Sequence, residues 1–402
     1  MLQFFSASTS IVDSKRAITE CIEVALEGEP TLDCDLIIIY SAMGHNFKEL
    51  LSEARKLCPG AQIAGCTGAG VIGIEGPDES LKALAIMVIK GPKEEFAVAV
   101  SSLKINSDAY ETGVRIAQDL KSQNPNINMI HFLPSALPMS PFDRAVEGIE
   151  SVFDPNLPIF GGISVDNMKG INTYAFLNDQ VIEKGWLAIG FADPSLAIIT
   201  RVNHGFNVLK GMQLEVTRSE LNIIYEFNGQ PAWTYLTNML GVPETTDRME
   251  VLTLSIVAEE IPAEFEEDYG SRFVLRSLLG NTKDNSFSCP ASCKIGTILL
   301  LAKRDEKGMF DGVDRITRQI QELLKGKKPL AVFHADCLLR GRFSINRILK
   351  DEFINRMQYP ICQGDPIPWL GLYSGGEIAM IGGKNWVHTF TSSVSVIYRL
   401  SK

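Results

Sequence analysis

Long apolar runs, an excess of basic charge and a cysteine framework are all missing from this sequence of 402 residues. The longest apolar stretches, such as Ala83 to Ile89 and Ile298 to Ala302, fall far short of the roughly 20 residues a membrane helix needs, so no bilayer-spanning helix is expected. Lys plus Arg number 38 against 48 Asp plus Glu, a formal net charge of −10. That field repels phosphate backbones and anionic lipid, so neither nucleic acid nor a membrane is an expected partner. The eight cysteines (Cys21, Cys34, Cys58, Cys66, Cys289, Cys293, Cys337 and Cys362) show no disulfide-scaffold spacing and read as reduced thiols. Met1 to Arg16 carries no basic leader, and Asp13 interrupts its apolar part. The expectation is a cytoplasmic protein.

What is present is the balance of a globular protein: 45% hydrophobic and 21% charged residues, with 33 Gly. Cores stop growing beyond about 250 to 300 residues, so the length implies two domains. Ala17, Ile18, Cys21, Ile22 and Ala25 recur at helical spacing, and Leu36 to Tyr40 follows as a buried-strand run. Asn46 can cap a second helix that Pro59-Gly60 stops. Further strands are expected at Ala61 to Ala64, Ala83 to Ile89, Ala97 to Val100 and Met129 to Leu133, with helices at Asp108 to Lys121 and from Ser140-Pro141. Short extended pieces follow (Thr173 to Leu177, Trp186 to Phe191, Leu196 to Val202, Gln213 to Arg218, Asn222 to Phe227), which implies antiparallel pairing rather than a purely parallel doubly wound sheet. The last part predicts helices at Pro231 to Leu240, Val313 to Lys325 and Ile345 to Met357. Its strands are expected at Val251 to Val257, Gly296 to Ala302, Leu330 to His334 and His388 to Arg399. The fold class is therefore α/β (α+β): two domains of mixed, partly antiparallel sheets covered by helices. The domain change falls between Phe191 and Leu221, giving domains 1–200 and 201–402. No repeat is visible at the period of about 20 to 50 residues typical of solenoids.

Several stretches carry candidate chemistry. Gly65-Cys66-Thr67-Gly68-Ala69-Gly70 follows a strand but lacks both the P-loop Lys and the dinucleotide spacing, so it reads as a tight turn lining a pocket. Cys289-x3-Cys293 could place two thiolates together, but Pro290 intervenes and no second ligand pair accompanies them. The acidic run from Glu259 to Asp268 reads as a solvated loop. His204 and His388 sit at strand edges, as candidate metal or haem ligands or as hydrogen-bonded core residues. Two blocks stand out near the end: Cys337-Leu338-Leu339-Arg340-Gly341-Arg342, and Gly371-Leu372-Tyr373-Ser374-Gly375-Gly376-Glu377-Ile378. The first follows a strand, where ligands of α/β sheets often bind. Arg340 could hold a carboxylate and Glu377 an ammonium, or the two could form a buried pair bracing two turns. An enzyme with Cys337 as nucleophile and His334 or His388 as base is disfavoured, because an odd offset on a strand sends Cys337 and His334 to opposite faces. A protein-interaction scaffold is the third class.

These blocks together resemble the FIST family, sensory proteins with a FIST N and a FIST C part. Gly65-Cys66-Thr67 is similar to its Gly-Cys-Ser/Thr turn, Leu133-Pro134 to its Leu-Pro strand end, and Pro158 to Asp166 to its Pro-x-x-Gly-Gly-x-x-x-Asp turn. Glu226-Phe227-Asn228-Gly229-Gln230-Pro231-Ala232 resembles its Glu-Leu-Asn-Gly-x-Pro-Ala element, and the two blocks near Cys337 and Tyr373 its C-terminal motifs. Gly68, Ser164-Val165 and the Cys289-x3-Cys293 pair depart from the family pattern. The resemblance implies a small-ligand sensor in signal transduction that acts through a partner. Its implied ligand-binding residues are Cys66, Thr67, Cys337, Arg340, Gly341, Tyr373, Gly375, Gly376 and Glu377. One stand-alone bacterial branch, similar in length and layout, senses nitric oxide with haem and controls a histidine kinase; a cyclic-di-GMP pathway is a further possible output. That branch makes haem an implied cofactor, with His204 and then His388 as axial candidates. The haem-free alternative is a sensor of an amino acid or another small carboxylate.

Overall fold

The structure, a computed structural model, describes residues 1–102, 108–281, 283–341, 347–362 and 364–400. It is a mixed α/β protein built on one arrangement used three times. The first unit runs β1 (Gln3–Thr9), α1 (Ser14–Ala25), β2 (Leu36–Ser41), α2 (Phe47–Leu57), β3 (Gln62–Thr67), a hairpin of β4 (Val71–Gly73) and β5 (Gly76–Asp78), and β6 (Leu84–Lys90). The second repeats it as β7 (Phe96–Ser102), α3 (Ala109–Gln123), β8 (Met129–Leu133), α4 (Phe142–Val152), β9 (Ile159–Gly162), the hairpin β10 (Tyr174–Leu177) and β11 (Gln180–Glu183), and β12 (Gly185–Phe191). The third starts with β13 (Leu196–Asn203) and is then interrupted by an inserted layer. That layer holds β14 (Phe206–Glu220), β15 (Ile223–Phe227), β16 (Gln230–Pro231), α5 (Ala232–Leu240), α6 (Arg248–Leu254), β17 (Val257–Glu260), α7 (Glu266–Tyr269), β18 (Phe273–Arg276), β19 (Leu279–Gly280), β20 (Phe287–Ser288) and β21 (Ile298–Arg304). The third unit then resumes with α8 (Glu306–Leu323), β22 (Pro329–Cys337), α9 (Arg347–Cys362), β23 (Trp369–Ser374), the hairpin β24 (Glu377–Ile381) and β25 (Lys384–His388), and β26 (Ser392–Arg399).

Each unit makes a sheet with its first, last, second and third strands in that order, and each sheet is completed by the hairpin of another unit. The orders are β1-β6-β2-β3-β10-β11, β7-β12-β8-β9-β24-β25 and β13-β26-β22-β23-β4-β5. The hairpins thus pass cyclically among the units, and two of the three exchanges cross residue 200. Within each unit the second and third strands are parallel, with a helix as crossover, and the remaining pairs are antiparallel. This is why the sheets are mixed, as the alternation of helical and hairpin texture predicts.

Side-chain alternation on these strands builds two layers of core. In β2, Ile38 and Tyr40 face inward to a core shared by all three units, with Met129, Phe160, Phe333 and Leu370 among its members. Ile37 and Ile39 face outward under α1 and α2, against Ile18, Ile22, Leu50 and Leu51. At the centre the Tyr40 hydroxyl bonds His131 Nε2, and His131 Nδ1 donates to the Phe160 carbonyl at 3.2 Å. Burial lowers the pKa of His131 to about 3, so the ring is a neutral peg.

Several expectations are corrected. Val251 to Val257 is not a strand: residues 248–254 form α6, because the Asp247 carboxylate accepts from the Met249 and Glu250 amides and starts a helix that the β-branched run does not advertise. His388 to Arg399 divides between the end of β25 and β26. The acidic run is only partly loop, since Val257–Glu260 is a strand and Glu266–Tyr269 a helical turn. The first residues of the helix expected at Ile345 to Met357 lie outside the described residues. No described helix is long and apolar enough to cross a membrane.

Candidate functional site

The Gly-rich stretches noted separately in the sequence occupy equivalent places in the three units. Register in the parallel pairs sets Gly65 beside Ile39, Gly161 beside Phe132 and Gly371 beside His334. A Cβ on Gly65 would stand 2.0 Å from the Ile39 carbonyl oxygen, and one on Gly161 2.1 Å from that of Phe132. With φ of 154° and 145° these two positions require glycine. The three turns that follow interlock at the carboxyl ends of the strands. Ser164 Oγ donates to the Thr67 carbonyl (2.9 Å), the Gly375 amide to Ile163 (2.8 Å), and the Ala69 amide to Tyr373 (2.9 Å). These bonds close a ring at the centre, and an opening lies to one side of it.

Such an opening exists between the second and third units, roofed by the inserted layer, as a cavity of about 170 Å³. Leu137 and Met139 come from the segment after β8, and Val165 and Met168 from the turn after β9. Leu338, Leu339 and Cys337 come from the end of β22, with Gly375 from the turn after β23. Met249, Leu252 and Leu279 of the inserted layer cover it. The position beyond the carboxyl ends of parallel strands is where α/β sheets place ligands. The Asp166 carboxylate shapes one wall by accepting from the amides of Lys169, Gly170 and Ile171 at 2.8–3.0 Å. Polar character is confined to a few groups such as Ser277 and Thr389, whose hydroxyl is committed to the Leu275 carbonyl (2.9 Å).

Of the residues singled out in the sequence, Cys337 and Gly375 line this cavity. Burial, and then the Glu377 carboxylate, push the Cys337 thiol well up, the opposite of what a nucleophile needs. His334 bonds Ser392 Oγ (2.8 Å) instead of activating it. Arg340 lies behind the cavity wall, 1% exposed. It donates to Asp336 (3.1 Å) and to the carbonyls of His204 and Phe390, and it stacks 4.6 Å over Phe353. It does not pair with Glu377, which corrects the mutual brace considered above. Glu377 is held instead by Ser374 Oγ (2.8 Å), Thr391 Oγ1 (2.6 Å) and the Thr391 amide (3.2 Å). Its burial outweighs these donors and raises the pKa to about 8. Gly376 packs on Ile163 and the His388 carbonyl. Cys66 and Thr67 belong to the sealed ring, with the Cys66 thiol raised by burial to about 12. Tyr373 and Gly341 lie instead beside the buried Lys350–Glu79 ion pair (2.7 Å); the Lys350 ammonium is 5.9 Å from the Tyr373 ring, and Gly341 abuts Glu79. Arg342 lies outside the described residues.

His204 and His388 flank Tyr269, with ring centroids 5.6 and 5.4 Å from it. Burial holds both near a pKa of about 3, with Arg340 adding to it for His204 and Arg276 for His388. His204 Nδ1 accepts from the Phe206 amide (3.1 Å), which leaves the proton on Nε2. Neither imidazole lines the cavity, whose 170 Å³ is below the roughly 300 Å³ at which cofactor pockets begin. The residues present therefore do not fit a haem on either histidine in this arrangement. Among the described residues no group of three or more His, Cys, Asp or Glu is placed to hold a metal ion.

The methionines and leucines of the cavity carried no signal in the sequence, because apolar side chains in loops resemble ordinary core residues. Only the strand-end rule points toward them, and only once the ends are known.

An uncharacterised protein of Mycobacterium bovis is 22% identical over 394 residues, covering 96% of each chain. One of Mycobacterium tuberculosis is 22% identical over 399 residues, again with 96% of each chain covered. Among solved structures, a cyanuric acid hydrolase from A. caulinodans covers 100% of both chains at a TM-score of 0.35 and 8% identity. T. maritima PurL covers 99% of this chain and 72% of its own at 0.23 and 10%. Both likenesses are too slight to carry an argument. The FIST N domain model matches residues 35–230 and the FIST C domain model residues 232–380, so the chain belongs to the FIST family, whose domains are associated with sensing in signal transduction.

Proposed function

We propose that this protein is a sensor of a small, largely apolar ligand that occupies the cavity between the second unit, the third unit and the inserted layer. One observation carries the reading: the cavity wall is shared between the parts matched as FIST N (Leu137, Val165) and FIST C (Leu252, Cys337). A ligand seated there touches both parts. Its differential affinity for two arrangements of them would bias their equilibrium, which is what a sensor requires. An apolar cavity of about 150 Å³ accepts a benzene-sized molecule, so the 170 Å³ found here suits a compound of that size or a small apolar amino acid. The output is contact with a signalling protein, such as a histidine kinase. Eight free thiols, seven of them buried, support a reducing compartment such as the cytoplasm.

The test is a thermal-shift screen of small aromatic, aliphatic and amino-acid compounds, followed by calorimetry of any hit on the wild type and Leu252→Trp. The indole should fill the cavity and weaken the hit at least tenfold while the far-ultraviolet spectrum stays native. An unchanged affinity in that variant would remove the cavity as the site.

A further inference from the structure

The pair Cys289 and Cys293 takes no part in the sensor reading and departs from the family pattern, yet its surroundings are specific. Both side chains are buried in one apolar cluster, and the Cys289 and Cys293 amides donate to the carbonyls of the neighbouring residues Asn222 and Leu221 (2.9 Å each), which brings the two cysteines side by side. The Arg276 guanidinium, fixed by Glu259 (3.0 Å) and the Val387 carbonyl (2.8 Å), acts on both thiols through its charge. The neighbouring Cys293, and then the charge of Arg276, draw Cys289 below the usual thiol range. The residues between the two cysteines hold α4. The Phe142 amide donates to the Pro290 carbonyl (2.9 Å), and the Ser292 amide donates to the Asp143 carboxylate (3.0 Å). Immediately before α4 come Leu137 and Met139 of the cavity wall, and immediately after Arg276 come Ser277 and Leu279 of its roof. Access is short, because Lys294, Ile295 and Gly296 next to Cys293 are exposed.

We propose that Cys289 and Cys293 form a reversible dithiol–disulfide site, oxidised by low-molecular-weight disulfides, whose state alters how the inserted layer holds α4 and with it the wall of the cavity. When the segment from Pro290 to Gly296 opens, the Cys289 thiolate attacks one sulfur of the disulfide R–S–S–R. That bond breaks, and one R–S⁻ leaves and takes up the proton Cys289 gave to water. Cys293 then loses its proton and attacks the mixed disulfide at the Cys289 sulfur. The second R–S⁻ leaves and is protonated in turn, so the protein loses two hydrogens and two R–SH are formed. The closed Cys-x3-Cys ring draws Pro290 and Ser292 inward, and the two hydrogen bonds to Phe142 and Asp143 are lost.

The test treats the full-length reduced protein with glutathione disulfide and maps disulfides by peptide mass. Amide exchange at Phe142 is followed before oxidation, after it, and after dithiothreitol. The expected result is a Cys289–Cys293 linked peptide and a rise in Phe142 exchange of about fivefold, both reversed by dithiothreitol and both absent in Cys293→Ser. Three results would overturn the proposal: thiols that react only after denaturation, modification confined to Cys362 or to Cys34 and Cys58, or a Cys289–Cys293 disulfide with unchanged Phe142 exchange.

Discussion

At the residue scale, the charged groups that stand out in the sequence turn out to hold turns in place. Removing the Arg340 guanidinium leaves the Asp336 carboxylate buried without its cation, so Arg340→Ala should destabilise the ligand-free protein by about 3–5 kcal/mol; urea unfolding measures it, and a loss below ~1 kcal/mol would leave the side chain free for a ligand. Glu377 gives a pH dependence of definite sign. Its pKa rises from 4.5 to about 8 on folding, so the native state holds the extra proton and stability falls as pH climbs between those values. His204 and His388 act oppositely: with pKa values lowered from 6.5 to about 3, they cost stability only as pH drops below 6.5. The window from 6.5 to 8 therefore isolates Glu377 from these two, and Glu377→Gln should flatten the stability profile there. Protein from haem-supplemented cells is expected to show no Soret band that depends on His204 or His388. A stoichiometric band lost in His204→Ala would mean that Tyr269 moves aside for the porphyrin.

At the scale of elements, the legible ones are those whose signal is local. Leu36 to Tyr40 reads as a buried strand because both its faces are covered, and α2 reads from Asn46 to Pro59 because the cap and the stop are written in neighbouring residues. The segment from Arg248 to Leu254 misleads because its apolar content fits either period over so short a run, and a single cap decides it. Gly65 and Gly161 read as turn glycines in the sequence but lie inside β3 and β9, and their necessity comes from a carbonyl on the next strand. Gly161→Ala should cost at least ~2 kcal/mol, combining a φ of 145° with the Phe132 carbonyl 2.1 Å from the new methyl. The loss of thermal stability is the measurement. An alanine there with unchanged stability would show that β9 can slide away from β8.

At the scale of the molecule, the exchange of hairpins makes each sheet depend on two units. β4 pairs with β23, and β24 pairs with β9, so residues before and after position 200 complete one another's sheets. Unfolding in urea is accordingly expected as a single transition, coincident by tryptophan fluorescence and far-ultraviolet circular dichroism. Two separated transitions would show that the halves are independently stable. The threefold arrangement also explains why candidate residues scatter. Three equivalent strand ends produce three similar motifs, of which the first helps seal the ring while the ends of the second and third border the cavity.

The sequence by itself determined the fold class, the membership implied by its ordered motifs, and those helices and strands whose periods and caps lie within a few residues of one another. Tertiary structure alone decided that Arg340 pairs with Asp336, that Cys337 lines the cavity while Tyr373 lies against Lys350, and that Met249 and Leu252 roof the cavity. The reason is the range of the forces involved. Periodicity and capping act along neighbouring residues, whereas the hairpin exchange and the inserted layer join residues hundreds of positions apart, and burial among them sets which polar groups are spent on structure.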